Sequence, residues 1–218
     1  MCTRLHCIMN FAGKTIIVRY HDKPMVRAAA GCLCTRSFIL TLKMTACPPA
    51  GQRKQGYMKQ PQLIVFDLDF TLWDCDGTWC DCLSPPFRLR SGMVLDGQER
   101  PVQLYSDVRA VLDQCDLQNC DMALASRTEK PAWAERLIEL LGIAHRFSYS
   151  EIYPSSKLKH FAELKEASNV EYQQMLFFDD EIRNITEVGS LGVCCIHVAN
   201  GLNDHIFRQG LEQFQQEY

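Results

Sequence analysis

The sequence predicts an α/β fold, a Rossmann-like parallel sheet with helices on both faces. Three observations carry this expectation. Short, continuous apolar runs recur along residues 61–218, as in strands buried on both faces. Stretches with apolar residues at helical spacing separate them. Each of the main runs ends in an acid or a hydroxyl residue.

The elements follow in order. Leu63–Phe66 is the first buried strand, and an acidic turn follows it. Residues 73–105 mix Cys, Gly, Pro and polar residues and read as an excursion of loops with a hairpin. Ser106 is expected to cap a helix that buries Val108, Val111, Leu112 and Cys115. Met122–Ala125 is a second strand, ending at Ser126, Arg127 and Thr128. A helix then carries Trp133, Leu137, Leu140 and Leu141 inward until Gly142 stops it. Residues 147–153 form a short strand or turn before Pro154. Lys157 opens a helix with Leu158, Phe161 and Ala162 facing the core. Gln174–Phe178 is a strand ending at Asp179 and Asp180. A helix with Ile182, Ile185 and Val188, a strand over 194–198, and a last helix with Phe207, Leu211 and Phe214 complete the pattern. His197 reads as an ordinary core or surface histidine.

Residues 1–60 differ in kind. They hold ten Lys/Arg and one acid, Asp22, whereas the rest of the chain holds 13 Lys/Arg and 25 Asp/Glu. A junction is therefore expected near residue 60, with 47–56 as linker. The basic, acid-poor extension reads as an organelle leader or a disordered one, with Met58 a second candidate start. Short strands are expected at Thr15–Val18 and Ser37–Leu42, and no catalytic residue. The net charge of -3 gives no sign of a nucleic-acid partner, and no apolar run has the length of a membrane span. Twelve cysteines without a clear secretory signal read as reduced thiols of a cytoplasmic, monomeric protein. Cys32/Cys34 and Cys80/Cys82 are spaced too tightly for a usual zinc site.

Ligands of such sheets bind beyond the carboxyl ends of the strands. Asp67 and Asp69, Ser126, and Asp179 with Asp180 all fall there, and Lys157 begins a helix at the same edge. Taken singly, each reads as a cap, a turn residue or a solvated charge. Together they suit phosphoryl transfer from a monoester. Crowded carboxylates call for a hard cation, and Mg²⁺ takes oxygen ligands, often one or two carboxylates plus a phosphate. One carboxylate can attack phosphorus, while a second protonates the leaving oxygen and later deprotonates water. Lys157 and Ser126 can stabilise the transferring group.

In order and spacing, Asp67-Leu68-Asp69-Phe70-Thr71, Ser126, Lys157 and Asp179-Asp180 resemble the four motifs of the haloacid dehalogenase superfamily of phosphatases. The segments Phe66–Trp73, Pro85–Phe87, Ala125–Thr128, Glu151–Lys157, Phe177–Ile185 and Leu191–Val193 resemble its small eukaryotic magnesium-dependent members. The resemblance spans about residues 61–215, and it implies that the short 73–105 excursion is a minimal cap. It implies that Asp67 is nucleophile and metal ligand, and that Asp69 is acid/base with its carbonyl on Mg²⁺. It implies Asp180 as the direct carboxylate ligand, with Asp179 holding a metal-bound water or orienting its neighbour. Ser126, Arg127, Lys157 and the Leu68 amide would contact phosphate. The implied substrates are a phosphotyrosine side chain or a phosphorylated small molecule of the sugar or fructosamine type. The stretch Asp74–Cys82 is longer and more acidic than the family pattern, and leaves Trp73 and Trp79 between packing and substrate contact. Two rivals remain at this point. A phosphoacceptor receiver domain would carry its paired acids on the first strand, and an inactive scaffold should have lost one of the four motifs.

Overall fold

The computed structural model describes residues 60–217 in full, and the backbone alone over His6–Phe11 and Lys14–Arg19. The chain divides into two compact units, Met1–Gly56 and Tyr57–Tyr218. In the first, β1 (His6–Phe11) and β2 (Lys14–Arg19) pair antiparallel as a hairpin, with the Thr15–Val18 run inside β2. The strand expected at 37–42 and the linker at 47–56 lie outside the described residues.

The second unit is built on five parallel strands: β3 (Leu63–Phe66), β8 (Asp121–Ser126), β9 (Tyr149–Ile152), β10 (Met175–Asp179) and β11 (Cys194–His197). Their spatial order is β11-β10-β3-β8-β9. The chain runs outward from β3 through β8 and β9, then returns to the other side of β3 for β10 and β11. The order therefore reverses between β3 and β10, which makes their carboxyl ends a topological switch point with a crevice above it.

Strand alternation divides the core in two. On one face Ile64, Phe66, Met122, Leu124, Leu176 and Phe178 meet the helices α1 (Val108–Leu117), α2 (Pro131–Leu140) and α5 (Asp204–Glu217). On the other, Leu63, Val65, Ala123, Ala125, Met175 and Phe177 meet α3 (Lys157–Ser168) and α4 (Ile182–Gly189). No helix among the described residues is long and apolar enough to cross a membrane.

The excursion after β3 is more ordered than the sequence suggests. The strands β4 (Trp73–Asp74), β5 (Arg88–Arg90), β6 (Met93–Leu95) and β7 (Pro101–Leu104) form an antiparallel sheet in the order β4-β7-β6-β5. Strands of two to four residues are too short to show periodicity. The sheet is pinned instead by Asp96, whose fully buried carboxylate accepts from the backbone amides of Ser84 (3.0 Å), Gln98 (2.8 Å) and Arg100 (2.9 Å), and from Arg100 Nε (2.9 Å).

Four helix expectations need correction. Ser106 does not cap α1; its hydroxyl donates to Asp107, whose carboxylate receives the Asp204 amide. On α3, Leu158 and Ala162 face solvent, while Lys157, His160, Phe161 and Leu164 face inward. On α4, Ile182 is exposed and Asn184 is buried with Val188. In both helices a buried polar side chain, Lys157 or Asn184, sets the phase that apolar residues were expected to set. Trp133 on α2 is only half-buried, against Phe87 with ring centroids 5.8 Å apart.

Candidate active site

A cleft of about 280 Å³ opens at the switch point. Asp67, Asp69, Ser126, Arg127, Lys157 and Asp180 line it, with Trp79, Asp81, Thr128, Glu129, Glu181, Arg183 and Asn184. Of the residues singled out from sequence, Leu68 and Asp179 are not on its walls. Leu68 buries its side chain in the core, and its carbonyl accepts from the amides of Leu72 (2.9 Å) and Trp73 (3.2 Å). Asp179 lies behind Lys157.

Asp67 extends the β3 ladder by one bond, its amide donating to Phe178 O at 3.0 Å. That bond sets its carboxylate at the strand end. Phe70 then turns the chain with φ at 55°, a left-handed conformation that costs a bulky residue energy and persists only where its surroundings impose it. Here the Phe70 amide is tied to Trp73 O at 2.9 Å. The turn brings Asp69 back to the cleft. Its Oδ1 accepts from the Trp73 indole at 2.7 Å and from the Cys80 amide at 2.9 Å. Burial nonetheless pushes the Asp69 carboxyl up, against those hydrogen bonds. Trp73 is thereby a fully buried residue with one polar task, whereas Trp79 stays over half exposed on the cleft wall, edge-on to Phe70 at 5.8 Å.

Lys157 is wholly buried at the start of α3. Its Nζ donates to Asp67 Oδ1 (2.6 Å), to Asp179 Oδ2 (2.9 Å) and to Ala125 O. An ammonium has three donors, and all three are used. Burial alone would discharge the amine, but Asp67 and Asp179 outweigh it and hold the ammonium charged. Burial also pushes Asp67 up; Lys157 opposes the shift, and the charges of Asp179 and Asp69 add to it.

Asp179 ends β10 and accepts from the Glu181 amide at 2.8 Å and from Asn184 Nδ2 at 3.0 Å. Asn184 Oδ1 in turn receives Arg127 Nη1 at 3.2 Å, so one amide side chain spans two motifs. Asp180 stands in the cleft, its carboxyl pushed up to about 6 by burial and then by Asp179 and Glu181. His197 lies with Nε2 2.9 Å from the Asp180 carbonyl oxygen. Ser126 is buried at the end of β8, with its Oγ 3.4 Å from the Thr128 amide. Asp81 ties the excursion to that loop, accepting from the Thr128 hydroxyl and from the Glu129 amide at 3.1 Å.

Sequence reasoning missed Asn184 and Asp81. Asn184 left a signal, a polar residue one helical turn before Val188 on the inward stripe of α4. Asp81 left none, because its loop has no period.

The donor set suits a hard cation. Asp67, Asp69 and Asp180 offer oxygen only, and each has its charge disfavoured by burial and by a neighbouring carboxylate. Among the described residues no three acidic, His or Cys side chains converge as a closed ligand cluster. Mg²⁺ does not require one, since it keeps waters and binds through one or two carboxylates and a substrate phosphate.

A sequence profile described as acid phosphatase matches residues 59–217. A curated relative, magnesium-dependent phosphatase 1 of Homo sapiens, is 44% identical over 156 residues, covering 71% of this chain and 87% of the relative. A HAD-like hydrolase superfamily protein of Schizosaccharomyces pombe is 34% identical over 146 residues, covering 61% and 83%. Among solved structures, a HAD-superfamily hydrolase from Ehrlichia chaffeensis superposes with a TM-score of 0.51 at 18% identity, covering 72% of this chain and 98% of that one. At that identity the likeness concerns the fold alone.

Proposed function

Since this chain belongs to the acid phosphatase family, within the haloacid dehalogenase superfamily, we propose that it hydrolyses phosphomonoesters with Mg²⁺ through an aspartyl-phosphate on Asp67. The observation that carries this reading is the Asp67–Lys157–Asp179 array at the switch point. It holds a nucleophilic carboxylate against a charged, fully partnered amine.

Asp67, Asp69 and Asp180 would hold the cation by side-chain or carbonyl oxygens. Bound there, it supplies charge that lets an anionic nucleophile approach an anionic phosphate. The Asp67 oxygen attacks phosphorus, and the bond to the leaving oxygen breaks. Asp69 gives that oxygen its proton, then takes one from the water that cleaves the aspartyl-phosphate, releasing phosphate and restoring both carboxyls. Ser126, Arg127 and the Leu68 amide bind the phosphoryl oxygens, while Lys157, whose three protons are already taken, offsets their charge from behind Asp67. Asp179 orients Lys157 and, through Asn184, Arg127.

The leaving group would extend past Trp79 and Asp81. An exposed indole suits the ring of phosphotyrosine, and the polar rim suits a sugar phosphate. Asp67→Asn is expected to abolish turnover of p-nitrophenyl phosphate with an unchanged circular dichroism spectrum, and EDTA to silence the parent enzyme until Mg²⁺ is restored. Turnover by the variant would remove Asp67 as nucleophile, and turnover in chelator would remove the cation. Phosphotyrosine peptides, sugar phosphates and phosphorylated amines, compared by kcat/KM, distinguish the substrate classes.

A further inference from the structure

Three donors converge on a single oxygen of Asp69. Trp73 Nε1 donates to Oδ1 at 2.7 Å, the Cys80 amide donates to it at 2.9 Å, and Cys75 Sγ lies 3.7 Å from it. All three donor residues have no exposed surface. A carboxyl oxygen has two lone pairs, so one that already accepts this many donors has no room for a proton of its own. Oδ2 is the oxygen left to the cleft that Asp69 lines.

We propose that Trp73, Cys75 and the Cys80 backbone are positioning groups that hold Asp69 by Oδ1 and aim Oδ2 at the leaving-group oxygen. The inference rests on Asp69 acting as the acid proposed above. Proton transfer then runs through Oδ2: its O–H bond breaks as the phosphorus–oxygen bond of the ester breaks, and the departing oxygen takes the proton. In the second half Oδ2 regains a proton from the attacking water.

The holding groups come from the excursion, not from the parallel sheet. Trp73 begins β4, where it bridges to Asp69 and pairs with Leu104 of β7. Cys80 follows Trp79 in the turn that Asp81 ties to Thr128 and Glu129. The insertion therefore aims the acid as well as walling the cleft.

The test compares kcat/KM for phenyl phosphate and for p-nitrophenyl phosphate on the full chain. Phenolate leaves poorly without a proton and nitrophenolate leaves readily, so a misaimed acid penalises the first substrate selectively. Loss of folded enzyme lowers both values alike and cancels in their ratio. Trp73→Phe keeps the ring and deletes the donor; the ratio of phenyl to nitrophenyl is expected to fall about tenfold. Cys75→Ala, a smaller change, is expected to lower it about twofold and serves if the Trp73 variant does not fold. An unchanged ratio in the folded variants would overturn the positioning role. Asp69→Asn separates the two ideas. If it leaves the ratio unchanged, the acid role itself fails; if it lowers the ratio while Trp73→Phe does not, only the positioning fails.

Discussion

Lys157 carries a charge into a position with no exposed surface, and its surroundings explain why that is tolerated. Two carboxylates and a carbonyl take its three protons, so neither charge nor donor is left unpaired. A pair of this kind is weak evidence for stability, yet removing one partner strands the other. Lys157→Ala leaves Asp67 and Asp179 facing each other in a buried site. It is expected to lower stability by about 3–5 kcal/mol, read as a fall in the urea midpoint, and to abolish phosphatase turnover. A variant with the parent's midpoint would show that the carboxylates find relief elsewhere.

At the scale of the element, the antiparallel sheet of the excursion depends on one carboxylate. Its strands are short, and although Trp73, Val94 and Val102 pack into the core, β5 at the sheet edge has all three residues exposed. Asp96 supplies the anchor through the backbone amides of Ser84, ahead of β5, and of Arg100, at the end of the β6–β7 turn, with an ion pair to Arg100 Nη2 at 2.7 Å. Burial pushes this carboxyl up, but the amides of Arg100, Ser84 and Gln98 and the Arg100 guanidinium outweigh it, leaving it below the ordinary range. A group lowered on folding stabilises above its unfolded value, about 3.9, and that contribution is lost as the pH falls through the folded one. Asp96→Ala is expected to cost about 3 kcal/mol at neutral pH, with a smaller gap between variant and parent at strongly acid pH. Urea midpoints at several pH values measure both; a constant gap would remove the ionised carboxylate as the cause.

Across the whole molecule, every described residue lining the cleft falls within the span from Asp67 to Asn184, and the family match begins at residue 59. The five parallel strands, both core faces and the pinned excursion all belong to the unit Tyr57–Tyr218. Removing residues 1–57 is therefore expected to leave kcat/KM for p-nitrophenyl phosphate within about twofold of the full chain, since every described residue of the cleft is kept. A folded truncation without turnover would assign the extension a catalytic part.

The sequence by itself determined the parallel sheet and the order of the polar groups at its strand ends. Buried strands read as continuous apolar runs, and Asp67, Ser126 and Asp179 each follow or end one, so strand ends and chemistry were legible together. The excursion was not legible, because short strands and side-chain anchors such as Asp96 leave no period. Nor was the phase of α3, where Lys157 turns inward for electrostatic reasons that hydrophobic spacing cannot register; on α4 the spacing of Asn184 from Val188 was the one hint. Only the tertiary structure decided what Trp73 does. Its spacing says a large apolar ring, and its indole N–H finds Asp69 because the Phe70 turn folds the chain back by four residues. Apolar periodicity is written along the chain one residue at a time; the partner of a buried polar atom is set by where distant segments meet.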